Sequence, residues 1–210
     1  MRSKGLMGVL IPLILVLSML GVAYSAWRES VTITASVSTG EVDVAFTGAF
    51  TNDDGVVDDS TKDPDDDGTD PGKDKDVASS SASCDGKTGS VTISNAYPCY
   101  ETTAWFELTN TGTIPVKVEK VEISLDGTTW TEISPCTIYY IDIETGNIDD
   151  TLDPGDDLSI HVTPSDLLGT QIDDGDSLQL DLTIHVEQDA SENGSYTVYI
   201  RITVVQWNEY

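Results

Sequence analysis

Carboxylates dominate the chemistry open to this sequence. Asp63-x-Asp65-x-Asp67-Gly68 places acidic side chains on alternate residues with a glycine at the sixth position, and Asp74 falls at the twelfth. That is the first half of a Ca²⁺-wrapping loop: a hard divalent cation takes six to eight oxygens, alternate carboxylates converge on one point, and glycine permits the sharp turn. Asp53 and Asp58, within and just beyond Asn52-Asp53-Asp54-Gly55, supply a second group of the same kind. The closing residue is Asp rather than the longer Glu, Pro64 and Pro71 stiffen the run, and no flanking helix is patterned. The expectation is therefore a Ca²⁺-binding acidic loop and not an EF-hand domain. The opposed reading is a solvated acidic loop.

Other reactive groups are sparse. A zinc peptidase needs convergent ligands such as His-Glu-x-x-His, whereas His161 and His185 each fall on the polar face of an expected strand, where they meet as two ligands only if those strands are neighbours. There is no Gly-x-Ser-x-Gly elbow and no nucleophilic Cys/His pair. Three cysteines, Cys84, Cys99 and Cys136, are too few for a disulfide framework and leave one disulfide or buried thiols open. Trp105, Trp130, Tyr139, Tyr140 and Trp207 offer either a carbohydrate platform or packing side chains. Asn193-Gly194-Ser195 is a glycosylation sequon. No catalytic constellation emerges, and the expectation is a protein without enzymatic activity.

The elements that must carry these groups are strands. Val31, Ile33, Ala35 and Val37 alternate with Thr32, Thr34, Ser36 and Ser38, and Val42, Val44 and Phe46 continue the period of two. Asn52 to Asp76 then holds eleven aspartates against three lysines, with Val56 and Val57 as its apolar residues. No core-facing pattern survives there, which marks residues 51–77 as a loop insertion. After a Ser/Ala-rich stretch from Ala78 to Ser83, alternation returns at Val91/Ile93, Ala104/Phe106/Leu108, Ile114/Val116/Val118, Val121/Ile123/Leu125, Ile138–Ile143 and Leu158/Ile160/Val162. It is cleanest at Leu178–Val186 and Tyr196–Val204, joined by the hairpin dipeptide Asn193-Gly194. Many short strands with turns every ten or so residues predict an all-β protein, a jelly-roll or Ig-like sandwich spanning 40–210.

Ahead of these strands lies a leader. Arg2 and Lys4 precede Gly5 to Ala26, a run without charge, and Ala23-Tyr24-Ser25 provides small residues at the positions a signal peptidase accepts. The reading is a signal peptide over 1–25, with an uncleaved anchor, or a type IV pilin leader cut after Gly5, as alternatives. Losing Arg2 and Lys4 with the leader takes the ten basic residues to eight against 37 acidic ones, a net charge near −29. Such a surface repels phosphate backbones, so nucleic acid is not a partner, and the membrane is met only during export. A strand at a free chain end, here 26–39, either pairs within its own sheet or fills a groove in another copy.

Three stretches together resemble a family. Gly21 to Val44, Trp105-Phe106-Glu107-Leu108-Thr109-Asn110-Thr111-Gly112-Thr113-Ile114-Pro115-Val116-Lys117-Val118, and Val204-Val205-Gln206-Trp207 are similar to the TasA/camelysin-like secreted proteins, which include biofilm matrix fibres and archaeal bundling pili. The resemblance implies a jelly-roll-like sandwich whose N-terminal strand (Val31, Ile33, Ala35, Val37) completes the sheet of the next subunit. It implies an extracellular, cell-surface filament or matrix fibre built head-to-tail from identical subunits, with the acidic loop as an insertion. A monomeric, Ca²⁺-stabilised adhesion or carbohydrate-binding module is the alternative.

Closely packed copies at this charge repel at separations below the Debye length of about 8 Å. Ca²⁺ held by Asp63, Asp65 and Asp67 should therefore raise the thermal midpoint or promote bundling, by mass action on the ordered state. The check is a melt and a bundling assay with Ca²⁺, with chelator, and with all three residues changed to Asn. An unaltered response in the triple variant would exclude those ligands.

Overall fold

A computed structural model describes residues 4–25, 33–37, 39–53 and 77–209. Contacts divide the chain into two units, Met1–Thr39 and Gly40–Tyr210. The first holds helix α1 (Lys4–Ser25), 22 residues with Pro12 inside it. Apart from Ser18, its described side chains from Val9 to Leu20 are apolar, and all of them are exposed. Among the described residues, no helix is long and apolar enough to cross a membrane.

The second unit is a β-sandwich. Its strands are β1 (Val44–Thr51), β2 (Ser79–Cys84), β3 (Thr88–Ala96), β4 (Glu101–Asn110), β5 (Val116–Ser124), β6 (Thr131–Ile133), β7 (Ile138–Asp142), β8 (Asn147–Asp149), β9 (Leu158–Thr163), β10 (Gln171–Ile172), β11 (Ser177–Val186) and β12 (Gly194–Gln206). One sheet runs β1-β4-β11-β9-β7-β8, and the other β10-β5-β12-β3-β2 with β6 also on β5. Every pairing among the described strands is antiparallel. The all-β sandwich expected from the alternation is the architecture found.

The core follows from that alternation. Ala104, Phe106 and Leu108 of β4, Leu180 to Val186 of β11 and Leu158, Ile160 and Val162 of β9 turn one face inward. Val91, Ile93, Val116, Val118, Val121, Ile123, Val198 and Ile200 oppose them from the second sheet. Each large side chain so buried contributes roughly 1.5–3 kcal/mol gross. The runs ending at Val118 and starting at Val121 form one strand, not two. The register against β12 slips between Val204 and Thr203, so Glu119 is an extra residue and the inward parity resets after it.

Two expectations change. The Ser/Ala-rich stretch is a strand: Ser79–Cys84 pairs with Ser94–Gly89, and small hydroxyl side chains fit where this edge turns against β1. The cysteines are free, with Cys84 half-buried and Cys99 and Cys136 exposed rather than buried. Cys99 N–H donates to Val186 O and Cys136 N–H to Val162 O. Val162 faces Leu182, four residues along β11 from Val186, which separates the two cysteines by about 13 Å along the strands alone. A disulfide needs Cα atoms within ~7 Å. Cys84, opposite Gly89, belongs to the other sheet.

The β5–β6 turn illustrates how the body uses aspartate. Asp126 Oδ1 accepts from Thr128 and Thr129 N–H at 2.7 Å each, and Oδ2 from the Thr128 hydroxyl at 2.7 Å. These donors, the Thr129 amide first, hold its carboxyl well below the usual carboxylate range. A depressed folded pKa contributes stability that is present above the unfolded value, about 3.9, and is lost as pH falls through the folded one. Asp126→Asn should thus be less stable than the parent at pH 7, with the gap constant down to about pH 4 and narrowing below it. Denaturant midpoints across that range measure it, and a gap that stays constant in acid would remove the turn from the account.

Candidate functional site

Edge strand β1 carries a root at each end. Before it, Glu41–Asp43 cross the loop between β4 and β5. Asp43 O accepts Thr111 N–H at 3.1 Å and Gly112 N–H at 3.0 Å, and Glu41 O accepts Thr113 N–H at 3.0 Å. Glu41 N–H returns a bond to Thr113 Oγ1 at 2.9 Å. The Asp43 carboxylate takes the Thr111 hydroxyl on Oδ2 at 2.8 Å and the Lys87 ammonium on Oδ1, while Lys87 also donates to Val44 O at 2.7 Å. Lys87, then Thr111, hold the Asp43 carboxyl below its ordinary value.

The crossing is close because two glycines stand at it. A Cβ on Gly112 would lie 2.3 Å from Glu41 O and 2.7 Å from Asp43 N, and one on Gly40 would lie 2.1 Å from Ile114 Cγ2. Asn110 shapes the loop from below. It is 1% exposed; its amide donates to Ile114 O at 2.9 Å and Ile172 O at 3.0 Å, and its Oδ1 accepts Gly112 N–H at 3.0 Å. Both capacities of the amide are used inside the fold, as a buried polar group requires.

After β1 the chain reaches the base of the acidic insertion. Asn52 Oδ1 accepts Thr103 N–H at 2.8 Å and the Thr102 hydroxyl at 2.9 Å. Asp53 is fully buried, its Oδ2 accepting the Tyr100 hydroxyl and its carbonyl accepting from Thr51 Oγ1 at 2.7 Å and Ser80 Oγ at 3.2 Å. Burial, reinforced by the Asp53 bond, pushes the Tyr100 phenol far above its ordinary value, so it stays a donor. Thr51 Oγ1 also reaches Ser80 O at 3.1 Å. The insertion therefore leaves and re-enters the sandwich side by side.

Of the residues expected to bind metal, Asp58, Asp63, Asp65, Asp67 and Asp74 lie outside the described residues. Asp53 serves as the buried acceptor just described. Among the described residues, no three His, Cys, Asp or Glu side chains gather closely enough to hold a metal ion. His161 and His185 do share the outer face of neighbouring strands, since His161 faces Thr183 and His185 faces Ser159. The acid beside His185 is Glu101 at 3.8 Å. The aromatic residues do not form one platform. Trp105 stacks on Phe50 with centroids 5.3 Å apart, on the first sheet. Trp130 lies 4.2 Å from the Arg201 guanidinium on the second, and Arg201 binds Glu122 at 2.9 Å. Asn193 is exposed at the β11–β12 turn with φ 60°.

Of the N-terminal strand residues, Val31 lies outside the described ones, whereas Ile33, Ala35 and Val37 are exposed and belong to no strand, Ile33 at 87% and Val37 at 90%. No family model and no curated protein matches the chain.

Asp43, Lys87, Asn110 and Tyr100 were not singled out from sequence. The one signal in the sequence is the Asn110-Thr111-Gly112-Thr113 string, whose Asn and Gly are turn residues. Tyr100→Phe should destabilise the domain by about 1–3 kcal/mol, the range for leaving a buried acceptor without its donor. Asp53→Asn, which keeps an acceptor oxygen for Tyr100, should cost less. Urea denaturation ranks the two, and the reverse order would show that the carboxylate's charge, not the phenol's bond, holds this root.

Proposed function

We propose that the chain is the structural subunit of an extracellular filament, a pilus or biofilm matrix fibre, that polymerises by donor-strand complementation. The observation that carries this reading is a strand-patterned segment with no strand to belong to. Ile33, Ala35 and Val37 alternate with hydroxyl residues, are exposed, and precede a sandwich whose edge strand β1 pairs on one side only among the described strands. Burying Val31, Ile33, Ala35 and Val37 in a neighbour contributes roughly 5–9 kcal/mol gross. Backbone pairing adds to it and removes an exposed edge. One orientation repeated gives an open, head-to-tail polymer rather than a ring.

The resemblance to TasA/camelysin-like proteins supports the same reading. So does the leader, which suits export with cleavage after Ser25. Chemistry at a catalytic centre has no place in this proposal, and bound Ca²⁺ in the acidic loop remains part of it. The dispersal of Trp105 and Trp130 onto opposite sheets weighs against the carbohydrate-binding alternative.

Negative-stain microscopy of the mature chain should show filaments. Deleting 26–38, or introducing Ile33→Asp with Val37→Asp, should leave a folded, soluble monomer, because the core of 40–210 is untouched. Filaments that form normally from those variants would sink the exchange mechanism, and a parent that stays monomeric would sink the filament itself.

A further inference from the structure

The knot at Asp43 does more than start a strand. Residues 41–43 are tied to 111–113 by three backbone bonds of 3.0–3.1 Å and one to the Thr113 hydroxyl. Lys87 clamps the carboxylate and the next carbonyl together. Only four basic side chains are described in the sandwich, Lys87, Lys117, Lys120 and Arg201, and one of them is committed to this latch. Gly40 is itself confined against Ile114. In sequence, only residues 38–40 separate the latch at Glu41 from Val37, the last apolar residue of the alternating segment. Three residues fully extended reach about 10 Å.

We propose that Asp43 and Lys87 are positioning residues that set the geometry between successive subunits. This rests on the filament reading above. A donor segment on a tether of about 10 Å enters only an acceptor held against the end of the sandwich where Asp43, Lys87 and Gly112 lie. Successive subunits are then close-packed at that end, without a flexible linker. The partner is a second copy of this chain, and the link between copies is as stiff as the knot. A knot that served folding alone would set the monomer's stability and leave the filament's shape unchanged.

The experiment compares filaments of the mature parent, of Lys87→Met, and of a Gly-Ser-Gly-Ser insertion between Ser38 and Thr39, which lengthens the tether as flexible coil and leaves the sandwich intact. Rise, twist and persistence length are read from electron micrographs, and thermal midpoints from each variant lacking 26–38. The expected result is assembly with loss of a single twist and a shorter persistence length in both variants, with the insertion leaving the monomer's midpoint unchanged. Variant filaments with the parent's rise, twist and stiffness overturn the positioning role while leaving the filament reading intact. Absence of filaments from the parent removes both. Should Lys87→Met fail to fold, Asp43→Asn, which removes the charge Lys87 holds while keeping an acceptor for Thr111, is read in the same way.

Discussion

An edge strand held at both ends is the constraint on which the domain's architecture turns. β1 pairs with β4 on one side and has no second full-length partner among the described strands. It follows chain that belongs to no strand, 33–37, and its far end leads into the acidic insertion. A strand in that position frays unless its termini are fixed, because terminal backbone groups exchange their bonds with water at little cost. Here the fixings are polar and long-range. Asp43 binds Lys87 and Thr111 at the start, and Asp53 binds Tyr100 and Ser80 at the end. Between them Phe46 meets Phe106 at 5.6 Å and ties the strand to the core.

Outside the acidic insertion, several aspartates have a use that needs no metal. In the described turns the short carboxylate reaches back to nearby N–H groups. Asp85 Oδ1 accepts from Lys87 and Thr88, Asp142 from Thr145, and Asp149 from Thr151. Glutamate, one methylene longer, does not make this turn as well. Backbone donors hold Asp142, like Asp126, below the usual carboxylate range. Acid thus has two opposed effects. It relieves the repulsion of a chain at −27, while removing charged acceptors from the turns. For Asp126 and Asp142 the second acts at the lower pH, since both titrate below the ordinary carboxylates.

Where a strand buries one face against large side chains, its sequence announced it. β11 and β12 alternate without interruption over most of their length, and β4 and β9 nearly as well. β2 was hidden because Ser79–Cys84 has no large apolar residue to mark its inward face. β5 was split by the bulge at Glu119, which shifts the inward positions from even to odd numbers. β6, β8 and β10, with three, three and two residues, are shorter than any period can reveal. The roots were illegible for a different reason. Lys87 lies 44 positions from Asp43 and Tyr100 lies 47 from Asp53. Only the fold brings such polar partners together, and no local spacing encodes them.

The two roots answer opposite mechanical demands. At the acidic end, Thr51 and Ser80 stand side by side, so the ends of the insertion are already brought together and extra length there adds only a loop-closure cost. That cost grows with the logarithm of length, about 0.6 kcal/mol for each doubling. At the N-terminal end the demand is reversed. Every residue freed between the sandwich and the alternating segment widens the volume that segment explores and dilutes it at any fixed acceptor. Gly40 and Gly112 are what allow the crossing chains to come close enough for the knot to form. A side chain at either position would lengthen the tether by loosening its anchor. In the proposed filament, added length is costly at the N-terminal root and not at the acidic one, and β1 lies between the two.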